Sequence, residues 1–160
     1  MLLRTSFLAF SLFLFVSSFS SCTKKCVVNK EIVDGGAIID NVIFYPNSGN
    51  ITPSMGGNYN INVNHPYANT IKIAIDGAGK VPVNYSQYNV LCYPLRTKCN
   101  ASFERTVTID DATQSVVYKI VATQCGNCEQ EWLTENYVLV PVFPSSYTVS
   151  YDVTVIDKEN

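Results

Sequence analysis

A single histidine, His65, serves all 160 residues, and that scarcity removes most routes to catalysis. A Ser-His-Asp or Cys-His nucleophilic system would have to use it. It sits in Asn64-His65-Pro66, which reads as a turn, and no nucleophile elbow accompanies it. Glycine-rich phosphate-binding patterns are missing too, so a nucleotide has no cradle. Basic charge is thin, with 11 Lys and Arg against 13 Asp and Glu, and it forms no patch of the kind nucleic acid demands. Beyond the first residues no apolar run reaches the roughly twenty that cross a bilayer as a helix. No long helical period is present, and no internal repeat. The expectation is a chain that is not an enzyme, with no cofactor, no nucleic-acid partner and no transmembrane segment after its leader is removed.

What is present begins with that leader. Arg4 precedes an apolar run from Phe7 to Val16, and the small residues Ser17, Ser18, Ser20 and Ser21 follow, which are the three parts of a secretory signal. Cleavage after Ser20 places small side chains at the last and third-last signal positions. The rival reading takes Phe19-Ser20-Ser21-Cys22 as a bacterial lipobox, making Cys22 the acylated first residue of a lipid-anchored lipoprotein. Phe19 stands where that pattern prefers Leu, and acylation would leave five cysteines of the six, an awkward number for a disulfide framework. The soluble, secreted form is therefore preferred. Loss of residues 1–20 leaves 140, enough for one domain that buries about two thirds of its unfolded surface. We divide it into an N-terminal arm, 21–35, and a β-domain, 36–160.

Tyr147 to Val155 sets the architecture. Tyr147, Val149, Tyr151, Val153 and Val155 alternate with Thr148, Ser150, Asp152 and Thr154, as in a strand with one face in a core and one in water. Asn58–Val63 and Thr70–Ile75 alternate likewise, and Ile38–Tyr45, Val90–Tyr93, Phe103–Ile109, Ser115–Ala122 and Tyr137–Phe143 read as further strands. The alternation in Phe103–Ile109 is less clear because Arg105 falls on its apolar side. Turns are marked by Pro46-Asn47-Ser48-Gly49, Asp76-Gly77-Ala78-Gly79, Asp110-Asp111 and Pro144-Ser145-Ser146. A polar excursion near 124–136 reads as holding one helical turn around Gln130–Leu133. Seven to nine short strands indicate an all-β fold, an antiparallel two-sheet sandwich of jelly-roll or Ig-like type.

Six cysteines in an exported chain imply up to three disulfides. Spacing suggests Cys22 with Cys26, Cys92 with Cys99, and Cys125 with Cys128, while the first and last pairs could instead exchange partners across the domain. Cys125-Gly126-Asn127-Cys128 has the spacing of a thiol-disulfide redox site, but the helices and parallel strands of a thioredoxin-like frame are missing. Zinc bound by Cys92, Cys99, Cys125 and Cys128 would have the right ligand count, and an oxidising compartment favours disulfides over it. Asp110 and Asp111 lack the ligand spacing of a calcium loop. No metal site is expected. Asn50, Asn84 and Asn100 head N-glycosylation sequons, about as many as chance placement gives.

All ten tyrosines lie beyond the leader. Tyrosine suits half-buried strands, with its ring inward and its hydroxyl wet, and it also suits stacking on a sugar. Tyr59, Tyr67, Tyr85 and Tyr88, among the Asn residues of 58–69 and the polar 85–88 segment, are the expected contacts to an extracellular glycan or protein. The alternative partner is a lipid between splayed sheets, lined by Ile71, Ile73, Ile75, Val117 and Val149. Across roughly residues 55–156, the strands Asn58–Val63, Val90–Tyr93, Ser115–Ala122 and Tyr147–Val155 resemble pre-peptidase C-terminal jelly-roll domains. That resemblance implies a recognition or adhesion role, although the flanking protease is missing here. The loop from Cys92 to Cys99 resembles that of the MD-2-related lipid-recognition family, from which the remaining cysteine spacing departs.

Overall fold

A computed structural model describes residues 36–46, 58–98, 101–125 and 130–158. The leader, the arm, Cys22, Cys26, Cys99, Cys128, Asn50 and Asn100 lie outside the described residues, as does the side chain of Cys125. Nine strands are described: β1 (Val42–Pro46), β2 (Tyr59–Ile61), β3 (Ile71–Ile75), β4 (Val81–Pro82), β5 (Tyr88–Lys98), β6 (Ala101–Asp110), β7 (Ser115–Cys125), β8 (Glu131–Pro141) and β9 (Thr148–Lys158). The all-β expectation holds. The helical turn placed at Gln130–Leu133 does not, because Glu131, Trp132 and Leu133 open β8 opposite Lys98, Thr97 and Arg96 of β5. Eleven consecutive pairings with β5 outweigh the local polarity that suggested a turn.

The strands form three sheets rather than two, ordered β1-β3-β4, β2-β5-β8 and β6-β7-β9. The reason lies in β5 and β8. On β5, Leu91 enters one buried cluster with Phe103, Val107, Val116, Tyr118 and Ile120, while its neighbour Val90 enters another with Ile71 and Ile73. On β8, Val138 and Val140 join the first cluster and Leu139 the second. Successive side chains of a strand point to opposite faces, so the β2-β5-β8 sheet carries a core on each side. Continuous apolar runs such as Val138-Leu139-Val140 are the mark of a strand buried on both faces. The expected antiparallel ladders are also incomplete, since β9 runs parallel to β7, with Tyr151 beside Tyr118. As expected, Val149, Tyr151 and Val153 of β9 pack on the first core.

Residues 36–41 join the layers. Ala37 N–H donates to Val107 C=O on β6 (2.8 Å), and Ile39 N–H donates to Leu139 C=O on β8 (2.8 Å). Both acceptors belong to outer strands of their sheets, where unsatisfied backbone is a liability. Ile38 drops into the first core and Ile39 packs on the second. This strap then enters β1, which pairs with β3 from Val42–Ile75 to Pro46–Ile71. Asp76 and Gly77, both at positive φ (51° and 74°), close the tight turn from β3 toward β4, as the Asp-Gly pair suggests.

Gly36 begins the strap at φ +70°, and a Cβ there would stand 2.0 Å from the Val107 carbonyl oxygen. Gly77 has a similar φ but open space around it. Alanine at Gly77 should cost about 1 kcal/mol from backbone strain alone, whereas Gly36→Ala should cost roughly 2–4 kcal/mol, because the strap must also move off β6. Urea denaturation of the two variants measures the difference, and equal losses would mean that the strap does not hold the layers.

Candidate functional site

The short strand β2 lies on β5 with Tyr59 opposite Cys92 and Ile61 opposite Val90. Burial of Ile61 fixes which face looks inward. The chain then leaves the sheet through consecutive turns in which His65 N–H donates to Asn62 C=O (3.0 Å) and Ala68 N–H to His65 C=O (2.9 Å). These turns fold His65 and Tyr67 back over Tyr59. The ring centroids of Tyr59 lie 5.9 Å from His65 and 5.9 Å from Tyr67, both edge-on, and those of His65 and Tyr67 are 5.3 Å apart. Edge-to-face packing of this kind is the favourable arrangement for aromatic rings. His65 Nδ1 accepts the Tyr67 N–H (3.2 Å), and burial lowers the imidazole pKa, so its neutral form is the one the cluster holds.

Two of the four expected contact tyrosines, Tyr59 and Tyr67, thus come together, and His65, read from sequence only as a turn residue, completes the group. Val63, Asn64, Pro66 and Asn69 are exposed around it, Val63 to 67%. The other two expected contacts do not join it. Tyr85 packs on the second core and donates its hydroxyl to Ala68 C=O (3.1 Å), bracing the segment after Tyr67. Tyr88 packs on the same core. Asn84 is exposed in a turn, where its Oδ1 accepts from Ser86 N–H (3.2 Å) and Ser86 Oγ (2.7 Å).

Cys92 corrects the disulfide reading. It is a free, buried thiol, 2% exposed, in a row with Tyr59 and Tyr137 across the middle sheet. Lys98, the residue before Cys99, ends the same extended strand about 20 Å away. A disulfide needs Cα atoms within about 7 Å, and the described residues show no partner sulfur for Cys92. Burial, reinforced by the Glu135 carboxylate, pushes the thiol pKa up to about 12. Buried and protonated, Cys92 packs in the middle sheet as a small apolar side chain.

A cleft of about 410 Å3 opens beside β8, between strap residues Ile38 and Ile39, β1 residues Val42, Phe44 and Pro46, and Arg105, Glu135 and Tyr137. Phe44 stacks on Tyr137 at 5.4 Å. Behind it Asn136, fully buried, gathers the polar contacts between layers. Its Oδ1 accepts from Arg105 Nε (3.0 Å), its Nδ2 donates to Tyr93 C=O (3.1 Å) and Thr134 C=O (3.2 Å), and its own C=O accepts from the Tyr118 hydroxyl (3.2 Å). Arg105 could sit on the apolar side of β6 because Asn136 receives it. The residues expected to line a lipid cavity are divided instead: Ile71 and Ile73 fill the second core, Val149 packs on the first, and none of the five borders this cleft. Asp110 Oδ1 caps its own turn, accepting from Ala112 N–H (2.8 Å) and Thr113 N–H (3.2 Å), and Asp111 Oδ1 accepts from the Tyr147 hydroxyl (2.8 Å).

No family model, curated protein or solved structure matches this chain.

Asn136→Ala should lower stability by roughly 3 kcal/mol, since it deprives three buried or half-buried groups of their partner at once. Denaturant titration checks it, and a loss under about 1 kcal/mol would contradict the role given to Asn136. A second expectation concerns alkali. Burial raises the phenols of Tyr118, Tyr137 and Tyr151 above their ordinary 10.0, and the Cys92 thiol above its 9.0. The folded state then keeps protons that the unfolded state releases, so stability is full below about pH 9 and falls as pH rises toward 12. Phenolate absorbance followed with unfolding should show Tyr118 and Tyr151 ionising only as the fold is lost, whereas their early, reversible ionisation in the native state would refute this.

Proposed function

We propose that this chain is an exported, non-catalytic recognition module of β-sandwich type that binds a glycan or protein partner through the Tyr59–His65–Tyr67 patch. The observation that carries the reading is the convergence of three aromatic rings, two of them tyrosines, on a turn bordered by exposed Asn64 and Asn69. A sugar ring presents apolar C–H faces that stack on aromatics and a hydroxyl rim that suits amide side chains. The same amphipathic surface suits a protein partner, since tyrosines give contact area at little cost in side-chain entropy. The patch stands on a braced base: β2 is paired to β5, and the Tyr151 hydroxyl donates to Tyr59 C=O (2.9 Å). A site held this way loses little freedom when it binds. The jelly-roll resemblance of the strand sequence points toward the same role.

Glycan-array and matrix-protein binding by the exported chain is the test. Tyr67→Ala and His65→Ala should each weaken retained binding about tenfold or more, as for central interface aromatics, while Tyr88→Phe leaves it unchanged. Binding that survives loss of both rings would remove the patch from the site, and no binding to any glycan or matrix protein would overturn the proposal.

A further inference from the structure

His65 is the one group of the aromatic patch whose charge changes in mild acid, and its ring is engaged through an atom that takes up a proton. Nδ1 accepts the Tyr67 N–H (3.2 Å), which requires a bare lone pair there. Protonation puts an N–H at Nδ1, so two donors then face each other and the bond is lost. We propose that His65 is an acid-sensitive latch on the patch: the neutral ring holds Tyr67 in place and protonation frees it, so that a partner held at neutral pH is released in acid. The release step rests on the patch being the binding site; the latch itself does not.

The bonds around Tyr67 leave the imidazole as its weak point. Tyr67 C=O accepts twice from Thr70, from N–H (3.0 Å) and from Oγ1 (2.7 Å), so that side of the residue stays anchored. Among the described residues its N–H has the imidazole as acceptor. The ring contacts oppose the effect in part, because a cation over a tyrosine face is attracted to it. The surroundings decide between the two: burial lowers the imidazole pKa below its ordinary 6.5, which disfavours the charged ring. The latch is therefore whole above 6.5 and is lost as pH falls through the ring's own, lower midpoint.

No neighbouring group competes for this role. The phenols of Tyr59 and Tyr67 face the ring directly. Behind them, Cys92 of β5 and Tyr151 of β9 adjoin Tyr59, and Tyr85 adjoins Ala68. Burial pushes the Cys92 thiol and the Tyr85 phenol up to about 12 and raises the Tyr151 phenol as well, so these three stay neutral in acid. Asp, Glu, Lys and Arg are missing between Asn58 and Ile71. The next charge along the chain, Lys72, stands exposed on β3 opposite Tyr45, and Asp152 follows Tyr151 on the opposite face of β9.

Because His65 is the only histidine, ring-nitrogen resonances of the isotope-labelled, exported full chain report it without overlap. From about pH 7.5 down to about pH 4, Nδ1 should pass from unprotonated to protonated with a midpoint below 6.5. At that same midpoint the protection of the Tyr67 amide from exchange should fall about tenfold, while amides of Val90 and Leu139 keep theirs. A ring midpoint at or above 6.5, a protonated Nδ1 at neutral pH, or a Tyr67 amide indifferent to the ring overturns the latch. His65→Asn supplies the control. Asn62 Oδ1 accepts the N–H two residues on, from Asn64 (3.0 Å), so asparagine at this position offers Tyr67 an acceptor of the same reach that does not titrate. The acid response of the Tyr67 amide should vanish in this variant, and its persistence would assign the response to general loosening of the fold and overturn the proposal. The wild-type titration decides the matter even if the variant fails to fold. Release is read with a glycan array and immobilised matrix proteins as probes, at about pH 7.5 and at about one pH unit below the ring midpoint. Wild-type retention should drop about tenfold, and equal retention overturns release. No binding at either pH overturns the reading of the patch, and release with it, while the latch stands or falls on the ring titration.

Discussion

Backbone groups at the edge of a sheet need partners, and the arrangement of this molecule rests on how two such edges are closed at one place. The N–H groups of Ala37 and Ile39, two residues apart on the strap, reach the outer strands of two different sheets. In a regular strand these two N–H groups would point the same way, but the chain turns at Ala37, and that turn lets one short segment bond to both. Its side chains then divide as its hydrogen bonds do, Ile38 into one core and Ile39 toward the other. The third sheet follows, since the strap continues directly into β1. A glycine at Gly36 is the geometric condition for this, as the approach to Val107 leaves no room for a side chain.

Much of this was legible in residue patterns, and the exceptions are instructive. Strands half exposed to water announce themselves by alternation, and β3, β7 and β9 were found where Ile71-Lys72-Ile73, Ser115–Ala122 and Tyr147–Val155 put them. Alternation reports one buried face, however, and β5 and β8 have two. Val90-Leu91-Cys92 and Val138-Leu139-Val140 carried that information as unbroken apolar triplets, a sign of a middle layer rather than of a two-layer sandwich. The parallel partnership of β9 with β7 left no local trace, because ladder direction depends on connections and not on side-chain period. Arg105 confused the reading of β6 for a physical reason: it does face inward, toward an amide on another sheet.

The candidate site divides along the same line. Tyr59 and Tyr67 were visible as aromatics among Asn residues, and the structure brings them within contact distance. His65 was visible only as a turn residue, since nothing in Asn64-His65-Pro66 says that the turn folds its ring between two tyrosines. Tyr85 and Tyr88 looked equivalent to the other two, and like Tyr59 they pack partly on the second core, yet neither joins the aromatic group. Composition cannot separate a tyrosine that braces from one that is presented, because both keep the ring packed and the hydroxyl near the surface. What distinguishes the presented pair is tertiary: a three-residue strand held at the sheet margin, followed by a chain of turns that doubles back on it.

Withdrawal of Cys92 into the middle sheet also changes the parity of the sulfur inventory. The chain has six cysteines, and with one sequestered an odd set is left: Cys22, Cys26, Cys99, Cys125 and Cys128. Five cannot all marry one another. Whatever the oxidation state of the surroundings, every molecule must retain at least one further sulfur that is a thiol, a tether to a different molecule, or a chemically blocked residue.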